Sequence, residues 1–289
     1  MEEIEDNQLG DFKNFVHIDE SWFYILSDGI YCRVAPGEQL PVGPVVQHKS
    51  HIPHVMFLAV VARPRPEHGF DGKVGIWPIT QIRVAQRTTT NRDRGDEYHA
   101  SVTIDADYYR RLMVGTVLPA IKMRMPWMSG QELWIQQDGA SPHTGKGNPQ
   151  FIQQWLNKNC PKWRLATQPA QSPNLNVNDL AFFRSLKRRV SSRDVANIDV
   201  LQQVVKDEFN KYDSATLERC WRVLAQVYRL ILENKGGNSW RLPSTRIRVG
   251  YRNGDPMERS VRPRLIRSCS QWLRQHTNED GSVDVSGMK

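Results

Sequence analysis

Three aspartates sit where an ordinary soluble fold favours an apolar or capping residue: Asp19 in VHIDESWF, Asp138 in LWIQQDGASPH and Asp179 in SPNLNVNDLAFF. Residues 16–25 are dense in β-branched and aromatic types and read as a strand, a poor home for Asp unless the position is exposed or terminal. A second short strand covers 133–137. Asp138 stands at its tip, where α/β sheets usually place their sites. Asp179 opens a helix on which Asp179, Phe183, Leu186 and Val190 fall at i, i+4, i+7 and i+11, so its carboxylate extends the core-facing stripe. Each acid also has a plain structural reading: an exposed strand position, a loop residue, or a helix N-cap.

Divalent-metal chemistry gives a reason for the three to converge. Two hard cations about 4 Å apart activate a water or hydroxyl and stabilise the leaving oxygen of an in-line phosphoryl displacement. Mg²⁺ takes oxygen ligands and keeps several waters, so a few carboxylates suffice. Gathered without a cation, the carboxylates repel and raise one another's pKa.

The strings HIDESWF, QQDGASPHT and QPAQSPNLNVNDLAFFRSLKRRV, in that order, resemble the catalytic domain of mariner-superfamily transposases. They look most like the plant-type branch whose third acid is Asp, and the 40 residues between Asp138 and Asp179 are close to that branch's usual interval. Further similarity lies in HKSHIPHVMFLAVVARP (48–64), TVLPAIK (116–122) and ENKGGNSWRLP (233–243), so the resemblance spans 15–243. It implies an α/β, RNase H-like fold: a mixed five-stranded sheet flanked by helices. It also implies two Mg²⁺ or Mn²⁺ ions held by Asp19, Asp138 and Asp179, with Asp19 bridging both. The implied reaction is hydrolytic nicking at transposon inverted-repeat ends, followed by 3′-hydroxyl attack on a TA target, without a covalent enzyme intermediate. Glu20, His143 and Asn176 are expected to support the acids, His143 by hydrogen bonding rather than as a general base. A homodimer and a nuclear location are implied as well.

Departures from the pattern flank the site. Gly139 stands where Asn is usual, Asn174 replaces an Asp, and Asn178 occupies a position that is commonly Leu. Asn174 removes a nearby charge and Asn178 a packing contact, so a weakened metal site is expected. Complete family members carry helix-turn-helix modules ahead of the catalytic domain. Residues 1–14 form an acidic lead-in that cannot be one, so the chain is expected to lack sequence-specific recognition. The alternative to an active transposase domain is a domesticated or decayed derivative that binds DNA without catalysis. A generic RNase H-like nuclease fits the ordered motifs less well.

A formal net charge of +8 suits a polyanionic partner. Arg184, Lys187, Arg188 and Arg189 follow Asp179 closely and are the candidate DNA contacts, with a solvated helical face as the plain alternative. Eight arginines lie between 244 and 274 against Asp255 and Glu258, within a basic, partly disordered tail over 244–289. The rest reads as strands over 15–25, 29–34, 54–63, 133–138 and 163–167, with helices over 105–122 and 151–158 and three more to 234. A loop-rich insertion over 65–103 could hold a β-ribbon starting at 74–78, of a kind that in relatives helps to dimerise or guide DNA.

His48, His51 and His54 recur every third residue, which matches neither one strand face nor a regular zinc pattern. The four cysteines, Cys32, Cys160, Cys220 and Cys269, are widely spaced without a CxxC and are expected to be reduced. No apolar run approaches 18 residues, so no membrane-spanning segment is expected.

Overall fold

The computed structural model describes residues 10–25, 37, 52–88, 92–235 and 240. The expected strand over 29–34, His48, His51, Cys32, Cys269 and the basic tail lie outside the described residues.

Six strands form one mixed sheet in the order β4-β3-β2-β1-β5-β6. They are β1 (Phe15–Tyr24), β2 (His54–Ala62), β3 (Lys73–Val84), β4 (Glu97–Ser101), β5 (Leu133–Gln137) and β6 (Trp163–Thr167). The first four are joined antiparallel, whereas β5 and β6 run parallel to β1. The change of direction falls at β1, whose neighbours are the antiparallel β2 and the parallel β5.

Alternation along the strands separates two cores. Val16, Ile18, Leu58, Val60, Leu133 and Ile135 face one side. There they meet α1 (Ala106–Leu112), α2 (Leu118–Arg124) and α4 (Asn148–Asn159), with α3 (Ser141–Thr144) leading into α4. Phe23, Phe57, Ala59 and Val61 face the other, packed against α5 (Phe183–Val190), α6 (Ile198–Asn210) and α7 (Ser214–Glu233). The centre of the sheet is therefore buried on both faces, as the near-continuous apolar run 55–62 requires. Side-chain caps fix the helix starts: Asp105 accepts from Tyr108 N, Asn197 from Val200 N and Asp213 from Thr216 N.

Two expectations are corrected. The stretch 65–103 is not mainly loop: the expected β-ribbon is present as β3, twelve residues long, whose outer half pairs with β4 as a hairpin, so β3 and β4 join the four expected strands that fall within the described residues. Gly75, Pro78 and the polar outer half obscure how far this strand runs beyond 74–78. Its end turns back where Gly95, at φ 99°, donates to Ala85 O (2.9 Å) and Ala85 N donates to Asp96 O (2.8 Å). The second correction concerns Asp179. Phe183, Leu186 and Val190 are buried as the stripe predicts, but a wide π turn over Asn178–Phe182 precedes α5 and rotates Asp179 off the stripe to an exposed position.

The expected helix over 105–122 is also interrupted by a π turn, Met113–Val117, just ahead of Pro119. Proline cannot donate the usual backbone hydrogen bond, and the wider turn accommodates that loss inside a continuous helical segment.

Candidate metal-dependent site

Strand register brings the first two acids together. In the parallel β1–β5 pair His17 lies opposite Gln136. Asp19 and Asp138 each follow two residues later, so both project at the same level and toward the same face from adjacent strands, which lie about 4.8 Å apart. Asp19 is deep in the sheet, opposite Ala59 on β2 and 6% exposed, whereas Asp138 is half-buried in the turn leading to α3.

The third acid is carried to them by a turn sewn to β1. Asn176 Nδ2 donates to Ile18 O (3.0 Å), Asn178 Nδ2 donates to His17 O (3.2 Å), and Asn178 N donates to Asn176 Oδ1 (3.1 Å). Val177 N donates to His17 Nδ1 (3.0 Å), and Gln136 Nε2 donates to Leu175 O (2.9 Å). Asp179 thus follows three residues locked onto the two positions before Asp19. Asn178 does not leave a packing gap as the family comparison suggested: it is fully buried and takes part in this lock. Gly139 also leaves its site intact, because a Cβ there would meet only Thr167 Cγ2, at an ordinary 3.6 Å.

Electrostatics show what this convergence costs. Burial, then the charges of Asp179 and Glu20, push the Asp19 carboxyl up to about 9. Asp179 is exposed as a residue, yet its carboxyl, turned toward the other acids, is raised first by partial desolvation, with Asp138 and Glu20 adding to it and Asp19's side chain and Lys187 opposing it. Asp19 and Asp179 therefore feel each other strongly, yet Asp19 Oδ2 is buried without a hydrogen-bond partner. Asp138 moves the other way: contact with His143 holds its carboxyl below the usual range, against burial.

His143, expected as a supporting residue, sits on α3 and is buried between two acids. Its Nδ1 lies against Asp138 Oδ1, and its Nε2 is 3.2 Å from Glu20 Oε1. Neither His143 Nδ1 nor Glu20 Oε1 has well-formed hydrogen-bond geometry, so these are charge contacts first. Burial pulls the imidazole pKa down, but the two acids outweigh it and lift it to about 10. A cationic His143 thus offsets part of the acidic charge from the rear.

Sequence reasoning missed several buried polar residues around the acids. Tyr109 on α1 donates to Gln137 Oε1 (2.8 Å), and its ring centroid lies 4.2 Å from that of His143. Asn148 donates to Ala106 O (2.7 Å) and Pro142 O (2.8 Å) and accepts from Arg110 Nε (2.8 Å), tying the His143 turn to α1. His17 is held neutral by burial, which lowers its pKa to about 3, and Trp221 covers its ring at 4.7 Å. The available signal was polar residues inside apolar strands (His17, Gln136, Gln137), which could have been read as internal partners rather than as surface.

Among the described residues, no group of three or more His, Cys, Asp and Glu side chains already forms a metal-holding cluster. The donor chemistry nevertheless fits Mg²⁺ or Mn²⁺: hard carboxylate oxygens from three elements, one of them buried and unpartnered. The basic helix is divided. Arg184, Lys187 and Arg188 lie at i, i+3 and i+4 on the exposed face of α5, with Lys187 within electrostatic reach of Asp179. Arg189 turns away, half-buried, with its guanidinium 5.1 Å from the Tyr212 ring centroid.

No protein-family model matches the sequence, and no curated protein matches it. Among solved structures, the chain resembles that of a pre-cleavage Mos1 transpososome, at TM-score 0.58 and 14% identity, covering 79% of this chain and 58% of that one. For the Mos1 mariner paired-end complex with Mn the TM-score is 0.57 and the identity 15%, covering 78% and 57%. For the Mos1 transposase catalytic domain with Raltegravir and Mg they are 0.52 and 13%, covering 79% and 87%. At these identities the likeness shows the fold: the RNase H-like α/β architecture of a mariner transposase catalytic domain. The chain spans less than three-fifths of the longer Mos1 chains.

Proposed function

We propose that this chain is a divalent-metal-dependent phosphoryltransferase acting on DNA, the catalytic domain of a transposase. The observation that carries the reading is the convergence of Asp19, Asp138 and Asp179, with the Asp19 carboxylate buried and lacking a partner for Oδ2. A fold stores such repulsion where something else completes the site. Its likeness to Mos1 chains solved with Mn and with Mg supports the same reading.

Asp19, Asp138 and Asp179 would hold Mg²⁺ or Mn²⁺, two ions by the family pattern, which supply Lewis-acid activation of a water or 3′-hydroxyl and stabilisation of the leaving oxygen. The chain's own residues do the remaining work. The Asn176–Asn178 lock fixes the height of Asp179 against β1. His143 and Glu20 orient Asp138 from behind. Arg184, Lys187 and Arg188 present cations to the phosphates beside the reacting one. Hydrolysis at inverted-repeat ends, joining at TA, action as a homodimer and work in the nucleus are the finer parts of this reading.

Nicking of supercoiled DNA in Mn²⁺ tests it, comparing the chain with Asp138→Asn. Activity in the former and at least a hundredfold loss in the latter is expected. Equal activity, or none with any divalent metal, overturns the catalytic reading and leaves a DNA-binding derivative.

A further inference from the structure

The two sides of the acid cluster differ in chemistry. On the α5 side the exposed side chains are cations. On the β6 side, α4 presents Gln150, Gln153, Gln154 and Asn157 at i, i+3, i+4 and i+7, a stripe of uncharged amides along one helical face. These line a groove of about 390 Å³ with Leu165 and Thr167 of β6, and among the described residues no charged side chain lines it.

One of the amides is already committed. Gln153 Oε1 accepts from Leu165 N (2.9 Å), and its Nε2 donates to Trp163 O (3.2 Å) and Asn157 Oδ1 (2.8 Å), so it covers the edge of β6. Gln150 and Gln154 are exposed, and their side-chain amides make no hydrogen bond to any described residue. At its Thr167 end the groove approaches the loop that carries Asp138. Thr167 pairs with Gln137, the residue before Asp138, and borders the space above Gly139, the residue after it.

We propose that this groove receives base edges of the DNA strand flanking the reacting phosphate, with Gln150 and Gln154 as the reading residues. The inference rests on the DNA-processing reading above and adds a division of labour to it. Without charge, the groove gives a phosphate no Coulombic attraction, whereas a carboxamide offers a donor and an acceptor side by side, the pattern that pairs with adenine N7 and N6. The α5 cations have the opposite competence: they hold backbone and carry no sequence information.

The test is DNA binding by fluorescence anisotropy, without turnover, on A·T-rich and G·C-rich duplex probes across a salt series. Gln150→Ala combined with Gln154→Ala is expected to weaken binding to the A·T-rich probe about fivefold, leaving the G·C-rich probe and the salt slope unchanged. Arg188→Ala is expected to weaken both probes alike and to reduce the slope of log K against log salt by about one. Both amides are exposed, and matched thermal melts confirm that the variant is folded. If the double variant binds both probes as the parent does, or weakens both equally, the groove proposal is overturned while the Arg188 result keeps the DNA reading. A parent chain that binds neither probe overturns both.

Discussion

The floor of the site and its rim are built on opposite principles. The floor is Asp19 on β1, buried among backbone-fixed neighbours, with a carboxyl pushed up to about 9 and no partner for Oδ2. The rim is Asp138, half-buried, with a carboxyl lowered by His143 and a backbone hydrogen bond from Ala140 N (3.0 Å). The floor stores repulsion and the rim is already neutralised. This difference separates what the fold supplies from what it leaves for a ligand: the rim has a resident counter-charge and the floor has none.

The largest effects should come from the acids themselves, and they should split on stability. Asp19→Asn and Asp138→Asn are each expected to lower metal-dependent nicking by about a hundredfold or more, since on the proposed reading each removes a hard anionic ligand worth several kcal/mol at the transition state. In urea melts without divalent metal the two should diverge. Asp19→Asn puts a neutral amide in place of a desolvated acid whose Oδ2 has no partner and should stabilise the fold by about 1–3 kcal/mol. Asp138→Asn strips buried His143 of its nearest counter-charge and should destabilise by a similar amount. Equal stability changes in the two variants would erase the contrast between floor and rim.

Metal addition probes the same contrast at somewhat smaller scale. A cation that relieves the floor binds the folded chain and not the unfolded one, so saturating Mn²⁺ should raise the melting temperature. The stabilisation is about 2.7 kcal/mol at a hundredfold excess over the dissociation constant. Asp19→Asn should lose most of this increment in differential scanning fluorimetry. An increment retained in full would place the ion elsewhere.

How much of this was legible in the sequence follows from the same division. Rim features are local: Asp138 at a strand tip before Gly139, and Asp179 ahead of a basic helix, are visible as motifs. The strands 15–24, 54–62, 133–137 and 163–167 are visible too, because apolar β-branched residues bounded by turns need no tertiary information. The floor depends on contacts across more than 150 residues, such as Asn176 to Ile18 and Val177 to His17. No local pattern announces these, so Asn178 read as a lost contact when it is a hydrogen-bonding partner. The π turn that moves Asp179 off the apolar stripe is likewise invisible to a fixed 3.6-residue period. Only the start of β3, at 74–78, was legible; its polar outer half is stabilised by a hairpin partner rather than by a core.

The Asn lock is the element joining floor to rim, and cutting it should cost about 2 kcal/mol. Asn176→Ala removes the donor to Ile18 O and the acceptor for Asn178 N, leaving both buried and unsatisfied. It should also raise the Mn²⁺ concentration needed for half-maximal nicking, because Asp179 loses its fixed height over β1. A stability loss without any change in metal requirement would mean that the lock serves the fold alone.

The smallest effect is expected at Gly139, and it tests whether the rim tolerates change that the floor would not. The backbone there lies outside the left-handed region, and a Cβ would meet only Thr167 Cγ2 at ordinary contact distance. Gly139→Asn should therefore alter stability by less than about 0.5 kcal/mol in urea melts, as surface substitutions usually do. The side chain would stand between Asp138 and the amide groove, so nicking should change by no more than a few-fold. A loss of several kcal/mol would show that the rim is as tightly packed as the strand beneath it, and the distinction between the two regions would collapse.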